Sequence, residues 1–306
     1  AVEPGDRVRM LAGLAPPSPP LAPGAFDFQR DAYFEGIGGY GFSYGMPREI
    51  TPAAGGDLML DLRLRIARLR HAITERVLAV LPGGTGAVAA ALMTGSQAAI
   101  PEEVMVAMRD SGLAHLLSIS GLHVGLLAGI VFVGLRGGLA LVPTIALRHP
   151  IKKWAAVAAL AVTLFYSLLA GAPVPTQRAF LMTGLVLLAV LVDRNPFNMR
   201  MVAWAAVAIL LLAPEALVGP SFQMSFAAVV ALIAAYEASR DWRNRRRSEM
   251  GWPLRGLRYA GGLAFTSLVA GAATTPYAVF HFGRTANYGV LANMLAVPLT
   301  GLWIMP

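Results

Sequence analysis

A short stretch of the chain concentrates polar side chains that are able to do chemistry. The segment GLAHLLSISGLHVG holds His115, Ser118, Ser120 and His123 among leucines and glycines. Histidine and serine serve in hydrolysis, histidine serves as a metal ligand, and both line aqueous paths in membranes. Two histidines without a nearby carboxylate or third ligand favour neither a metal site nor a catalytic triad. The spacing predicts that His115, Ser118 and His123 lie near one face of a helix.

Three further polar groups interrupt apolar segments. The run GAPVPTQRA joins two prolines to Arg178, and PSFQMSF contains Gln223. His281 and Asn293 lie in the last two apolar segments. Ionisable side chains in membrane helices face a bundle interior or a water-filled cavity, whereas Ser, Thr, Asn and Gln also join helices by hydrogen bonds. The sequence leaves both roles open for each residue.

The composition indicates a membrane protein. Of 306 residues, 56% are hydrophobic and 14% are charged, against about 45–50% and about 25% in soluble domains. The 32 glycines and 21 prolines are typical of kinked, closely packed membrane helices. This balance excludes a disordered chain, and the absence of cysteine excludes thiol catalysis and cysteine-ligated metal.

Apolar segments of nearly bilayer length lie in the second part of the chain. A span takes about 20 residues. The seven candidates are 116–135, 154–171, 178–193, 200–213, 222–237, 259–280 and 287–305. The segment 137–147 is too short to cross, so we expect it to lie flat or re-enter. The predicted fold class is an all-α polytopic membrane protein of about seven transmembrane helices, with interfacial or re-entrant helices in addition.

Basic residues are unevenly distributed between the connections. The connections 136–153, 193–200 and 238–258 hold 13 Lys or Arg residues, and the alternate connections hold two. Because basic loops stay in the cytoplasm, we expect these three inside and residues 1–114 outside. The densest cluster comprises Arg243, Arg245, Arg246 and Arg247. It is expected to bind anionic lipid, with a polyanion as the alternative.

The first 114 residues are mixed in character. A strand is predicted at 7–11, followed by a proline-rich linker. The aromatic and glycine-rich segment 26–56 predicts a β-rich patch or a membrane-interface segment. Apolar residues at spacings of three and four, interleaved with arginines, predict a basic amphipathic helix on the membrane surface at 57–81, although its first turns also fit a strand. Further helices are predicted at 83–95 and 101–114.

Five motifs together resemble the ComEC family of bacterial competence proteins. They are GLAHLLSISGLHVGLLAG at 112–129, GAPVPTQRAFLM at 171–182, DRNP at 193–196, PSFQMSF at 220–226 and GVLANMLAVPL at 289–299. PGDRV at 4–8 also resembles the end of the OB-type domain that precedes the channel in this family. Together with the residue patterns above, the resemblance predicts four parts of the chain. They are a partial OB-type tail (1–25), a linker or β-rich patch (26–56), amphipathic interfacial helices (57–114) and a C-terminally truncated channel domain (115–306).

The resemblance implies an inner-membrane channel that passes one DNA strand into the cytoplasm during natural transformation. The expected partners are single-stranded DNA, membrane lipids, other DNA-uptake proteins and a second copy of the chain. The candidate path-lining residues are His115, Ser118, Ser120, His123, Arg178, Gln223 and Asn293. Family members often carry a metallo-β-lactamase-like domain, but its histidine-rich motif is not in this sequence, so we expect no catalysis, cofactor or metal. The chain starts without Met and ends inside an apolar stretch, so we expect a fragment.

Two other classes of protein fit part of the sequence. A small-solute secondary transporter also has broken helices and polar groups at membrane depth, but the inverted repeat of many such transporters is not visible. An intramembrane hydrolase would use Ser118 or Ser120 with a histidine. Labelling by a serine-reactive probe, lost on Ser→Ala, would favour the hydrolase.

Overall fold

The computed structural model describes residues 4–23, 27–46, 48–50, 58–194, 199–239 and 252–304. The chain forms two compact units, Ala1–Ala72 and Ile73–Pro306. Among the described residues, four helices are long and apolar enough to cross a membrane. The predicted class, an all-α membrane protein with a short N-terminal β segment, is confirmed.

Two antiparallel strand pairs organise the N-terminal unit. Strand β1 (Arg7–Arg9) pairs with β4 (Arg48–Ile50), and β2 (Ala12–Ala15) pairs with β3 (Tyr40–Ser43). The predicted strand at 7–11 is confirmed at its start, but it is wrong at its end because the chain leaves β1 after Arg9. The aromatic segment supplies β3 and β4, as the β-rich alternative predicts.

The same segment contains a helix that the sequence analysis did not predict. Helix α1 (Phe28–Glu35) begins after Asp27, whose Oδ1 accepts a hydrogen bond from the Arg30 amide at 3.0 Å. It ends where Gly36 adopts a left-handed φ of 73°. An Asp cap and a terminal glycine are ordinary helix boundaries, so the aromatic composition concealed a helix that these two residues signal.

Helix α2 (Leu58–Val80) begins in the first unit and ends in the second. Two helices of the second unit follow, α3 (Gly84–Thr94) and α4 (Glu102–Asp110). Helix α2 is continuous, which confirms the helix and excludes the strand for its first turns. The helix predicted at 101–114 is too long, because Gly112 takes a left-handed φ of 75° and ends it. The short helix α5 (Ala114–Leu117) follows.

The remaining elements form the membrane bundle. They are α6 (Gly121–Ala140), α7 (Pro143–Arg148), α8 (Ile151–Leu169), α9 (Val174–Leu191), α10 (Met199–Leu212), a 3-10 turn (Pro214–Val218), α11 (Pro220–Ala238), α12 (Trp252–Phe282), α13 (Gly289–Leu299) and a π turn (Thr300–Ile304). Buried alanines let α6 and α8 approach closely, as small residues do in membranes. These alanines are Ala128, Ala156 and Ala159.

The first predicted span, 116–135, is wrong at both ends. The chain leaves helical geometry at residues 118–120, and α6 begins only at Gly121. Helix α6 then continues to Ala140, so the segment 137–147 is not a separate flat element throughout. The glycines of this segment stay helical because backbone amides and carbonyls in an apolar environment must form hydrogen bonds within the helix. Only its later part forms the separate helix α7.

The other spans follow the predictions more closely. Helices α8, α11 and α12 match 154–171, 222–237 and 259–280 within a few residues at most ends, although α12 starts earlier. Helices α9 and α10 match the two shorter candidates. The last candidate, 287–305, is interrupted, because α13 ends beside Pro298 and a π turn follows. Proline has no amide hydrogen for the helical ladder, which favours such a wide turn.

An ion pair joins the start of α8 to the end of α9. Lys153 Nζ lies 2.8 Å from Asp193 Oδ2, and Lys152 Nζ lies 3.8 Å from Asp193 Oδ1. The hydrogen bond from Lys153 lowers the pKa of the Asp193 carboxyl, so this group stays ionised at neutral pH. The contact places residues from two of the lysine- and arginine-rich connections at the same end of the bundle.

We expect Gly112→Ala to destabilise the second unit. A Cβ at Gly112 would lie 2.7 Å from Ala286 Cβ. The left-handed φ costs a residue with a side chain about 1–2 kcal/mol, and the overlap adds about 1–3 kcal/mol. Gly283→Ala is the matched control, because its φ is also positive, at 62°, but no described atom beyond its chain neighbours lies within 4 Å of a Cβ there. Thermal unfolding in detergent should rank Gly112→Ala lower; equal losses would contradict the close approach.

Candidate functional site

The unwound segment between α5 and α6 is held by side chains from other elements. Gln97 Nε2 donates to the Leu117 carbonyl at 3.1 Å, and Thr176 Oγ1 donates to the Ile119 carbonyl at 3.2 Å. Thr176 is fully buried. An unsatisfied backbone carbonyl at membrane depth costs several kcal/mol. These two bonds therefore stabilise the break in the helix, although the sequence analysis included neither side chain among its candidates.

The connection between α8 and α9 lies against this break. Gly171 and Ala172 both have positive φ, at 78° and 46°, and Pro173 precedes the first turn of α9. One buried cluster contains Ile119, Val124, Ala170 and Ala179. The starts of α6 and α9 and the end of α8 therefore meet in one place.

Ser120 and His123 cap the start of α6. The Ser120 amide donates to His123 Nδ1 at 3.1 Å, and Ser120 Oγ lies 3.1 Å from the same nitrogen. Because Nδ1 accepts the amide hydrogen, the proton of the neutral ring is on Nε2. The Nδ1 lone pair is thus already engaged, which favours a cap over a Ser–His dyad. His123 is fully buried, and its Nε2 has no partner among the residues that the structure describes.

Arg178 lies in the first turns of α9 and is only 6% exposed. Its Nε and Nη1 atoms make no hydrogen bond within the described ranges of the chain. A buried cation without an anion is unfavourable, because it has lost its hydration without compensation. Arg178 is therefore the most strongly under-compensated group of the candidate set.

A hydrogen bond between side chains joins α11 to α12. His281 Nε2 lies 2.8 Å from Gln223 Oε1, and Gln223 Nε2 donates to the Leu217 carbonyl at 3.1 Å. An amide oxygen only accepts, so the His281 ring donates through Nε2. The sequence analysis noted His281 as a polar residue but did not include it among the candidates. Its link to Gln223 adds it to the site.

Four candidates share a position near the start of a helix. His123 is the third residue of α6, Arg178 the fifth of α9, Gln223 the fourth of α11 and Asn293 the fifth of α13. We call the first turns of these four helices the polar end. Helix starts carry partial positive charge, so the polar end favours negatively charged groups.

Packing within the second unit brings these helix starts to one end of the bundle. Phe222 and Phe226 at the start of α11 share a buried cluster with Ile209 near the end of α10, and residues in the first half of α9 pack against the same cluster. Gly112, just before α5, approaches Ala286 and Gly289 at the start of α13. The Asn293 Oδ1 atom is buried and has no partner in the part of the chain that the structure describes.

The remaining candidates have less distinctive surroundings. His115 Nδ1 bonds the Gly112 carbonyl at 2.9 Å and its ring is exposed, and Ser118 is half-buried in the unwound segment. The prediction that His115, Ser118 and His123 share one helix face is wrong, because the break at 118–120 separates α5 from α6. The predicted basic cluster of Arg243, Arg245, Arg246 and Arg247 lies outside the described residues.

A cavity of about 660 Å³ lies between α6, α9, α10 and α11. Gly121, Gly125 and Gly129 form part of its wall, and Thr183 is the polar side chain among the described residues that line it. None of the seven candidates belongs to this lining. The cavity is apolar, so the idea that the candidates share one aqueous path stays a prediction.

Comparison with known proteins provides separate information. The family model "Competence protein" matches residues 92–306. The chain is 27% identical over 306 residues to ComE operon protein 3 of Bacillus subtilis (strain 168), covering 100% of this chain and 35% of that protein. It is 35% identical over 247 residues to competence protein ComA of Neisseria gonorrhoeae, covering 80% of this chain and 34% of that protein.

A third relative extends the comparison to another organism. The chain is 29% identical over 221 residues to recombination protein 2 of Haemophilus influenzae (strain ATCC 51907 / DSM 11121 / KW20 / Rd), covering 71% of this chain and 27% of that protein. The chain thus spans about a third of the length of the curated relatives it matches. No solved structure matches it.

Proposed function

The chain belongs to the ComEC family of competence proteins, and from this premise we propose that it forms part of a membrane channel that passes single-stranded DNA into the cytoplasm during natural transformation. The observation that carries the proposal is the polar end. It holds buried donors that have no partner among the described residues, at the starts of neighbouring helices inside an otherwise apolar bundle.

The chemistry of the polar end suits a polyanion. A single DNA strand presents a row of phosphates, and proteins that bind it use cationic groups along the backbone. Arg178 supplies a cation, His123 supplies an Nε2 donor, and the helix starts supply partial positive charge. In contrast, a binding site for a small neutral solute does not need an uncompensated guanidinium.

The proposed direction of transport follows from the charges at the two ends of the bundle. The opposite end holds Lys152, Lys153 and Asp193, and the positive charge of the neighbouring connections supports a cytoplasmic position for that end. The DNA strand would then enter at the polar end, on the outer side of the inner membrane. The proposed partners are single-stranded DNA, membrane lipids and other proteins of the uptake machinery.

The chain's part in transport would be passage alone. The sequence contains no GxxxxGK[ST] phosphate loop, so the energy for transport would come from outside this chain. Because Ser120 and His123 form a helix cap, we assign them no catalytic step.

Deletion of the gene in its host tests this function. We expect the deletion to abolish transformation while labelled DNA still binds the cell surface, because only passage through the inner membrane is lost. Complementation with the full-length gene should restore transformation. Unchanged transformation in the deletion strain would contradict the proposed function.

A further inference from the structure

The starting point is a charge imbalance inside the bundle. Arg178 is 94% buried, since its exposed fraction is 6%, and two of its three guanidinium nitrogens have no partner among the described residues. The ion pairs of Arg109 with Glu102 and of two lysines with Asp193, in the described part of the second unit, do not involve Arg178.

A second donor lies on the neighbouring helix, and it too lacks a partner in the described part of the chain. His123 Nε2 is on the far side of the ring from Nδ1, which is fixed by the Ser120 amide. Val124, next to His123, and Ala179, next to Arg178, pack in one buried cluster. Two adjacent helix starts therefore each offer an unused donor together with the positive end of a helix dipole.

We propose that Arg178 is a binding site for a phosphodiester group of the DNA backbone, with His123 donating to the same strand from α6. A guanidinium binds phosphate oxygens with two parallel hydrogen bonds, through either of two edges, Nε with Nη2 or Nη1 with Nη2. Each edge of Arg178 holds one buried atom without a partner among the described residues, Nε on one edge and Nη1 on the other. The proposal rests on the proposed function, because it takes DNA as the source of the phosphodiester.

A packing role and a ligand-binding role for Arg178 predict opposite effects of its replacement on stability. An arginine that only joins helices would be bonded to carbonyls or carboxylates, and its removal would destabilise the fold. An arginine kept unpaired for a ligand should destabilise the ligand-free protein, so its replacement by an apolar residue of similar length should stabilise it. Binding and stability are therefore expected to change in opposite directions.

Binding of a fluorescent oligothymidylate to the protein in nanodiscs of neutral lipid tests the site. We expect Arg178→Met to weaken binding by about ten- to hundredfold, the value of a lost charged hydrogen bond. Arg178→Lys should restore part of the affinity, because it keeps the charge without the paired donors. Arg284→Met is the matched control, since Arg284 is exposed in the connection between α12 and α13, and it should bind nearly as the unchanged protein does.

Thermal unfolding of the same samples separates a ligand site from a packing role. Without DNA, Arg178→Met should unfold at a higher temperature than the unchanged protein, and added oligothymidylate should stabilise only the unchanged protein. A lower unfolding temperature for Arg178→Met would overturn the proposal in favour of a packing role.

Parallel samples distinguish the sources of the phosphodiester. If phosphatidylglycerol in the nanodisc stabilises the protein through Arg178 but oligothymidylate does not, the group is a lipid headgroup and the DNA site is overturned. Equal oligothymidylate binding by the unchanged protein and Arg178→Met would overturn the site while leaving the proposed function intact. Loss of the proposed function would instead appear as normal transformation in the deletion strain, even with Arg178-dependent binding in vitro.

Discussion

We expect Thr176→Val to destabilise the second unit by about 1–3 kcal/mol, the cost of a buried polar group left without its partner. Valine has nearly the shape of threonine but cannot donate to the Ile119 carbonyl in the unwound segment. Since that segment begins the polar end, the substitution should also lower DNA uptake. Thermal unfolding in detergent and transformation at matched protein levels measure the two effects.

Thr163→Val is the matched control for this substitution. Thr163 is also fully buried, but its Oγ1 bonds the Ala159 and Leu160 carbonyls of its own helix, which already have helical partners available. Its replacement should therefore have a small effect. Equal destabilisation by the two substitutions would show that the bond to the unwound segment has no special role.

The second large effect is expected at Gln223, which makes two bonds to separate elements. Gln223→Leu removes the contact with His281 on α12 and the bond to the Leu217 carbonyl. Hydrogen bonds of this kind in membrane proteins contribute about 0.6–1.7 kcal/mol each. The loss should appear as a lower unfolding temperature and as reduced transformation. The start of α11 belongs to the polar end, and its contact with α12 holds it in position.

Two further variants separate the contributions of the two hydrogen bonds that Gln223 makes. Gln223→Glu keeps an acceptor for His281 and loses the donor to Leu217, so it should lie between the unchanged protein and Gln223→Leu. His281→Leu added to Gln223→Leu should cost little more, since the shared bond is already gone. Gln177→Leu, which removes an exposed amide bonded to the Ala172 carbonyl, is the control. Additive losses at Gln223 and His281 would contradict their coupling.

The sequence predicts those parts of the fold that depend on local patterns. Apolar length locates α8, α11 and α12, and spacing locates α2 as a helix. The helix α1 was also within reach, because Asp27 and Gly36 mark its two ends. The aromatic and glycine-rich composition of the surrounding segment predicts β structure instead, and this conceals the helix.

Features that depend on distant partners were beyond prediction. Residues 118–120 fit a continuous helix until Gln97 and Thr176, 20 and 57 positions from the carbonyls they bond, stabilise the break. The partner of Gln223 is likewise 58 positions away, at His281. Sequence reasoning identified polar residues in apolar segments, but the packed structure was needed to show how they pair, and to show that Arg178 Nε and Nη1 have no partner among the described residues.

Cysteine accessibility tests most directly the claim that the polar end is a water-accessible site for DNA. The chain has no cysteine, so single cysteines at Ser118, Ser120 or Asn293 are unambiguous reporters. Val133 and Leu211 are the controls, because they are 67% and 79% exposed on the outer surfaces of α6 and α10, where lipid is expected. We predict that a water-soluble maleimide labels all three positions, which lie in the polar end or in the unwound segment beside it, but neither control, and that single-stranded DNA slows this labelling. Polar-end cysteines that stay unlabelled from both sides, or that label at the same rate with DNA present, would contradict the account.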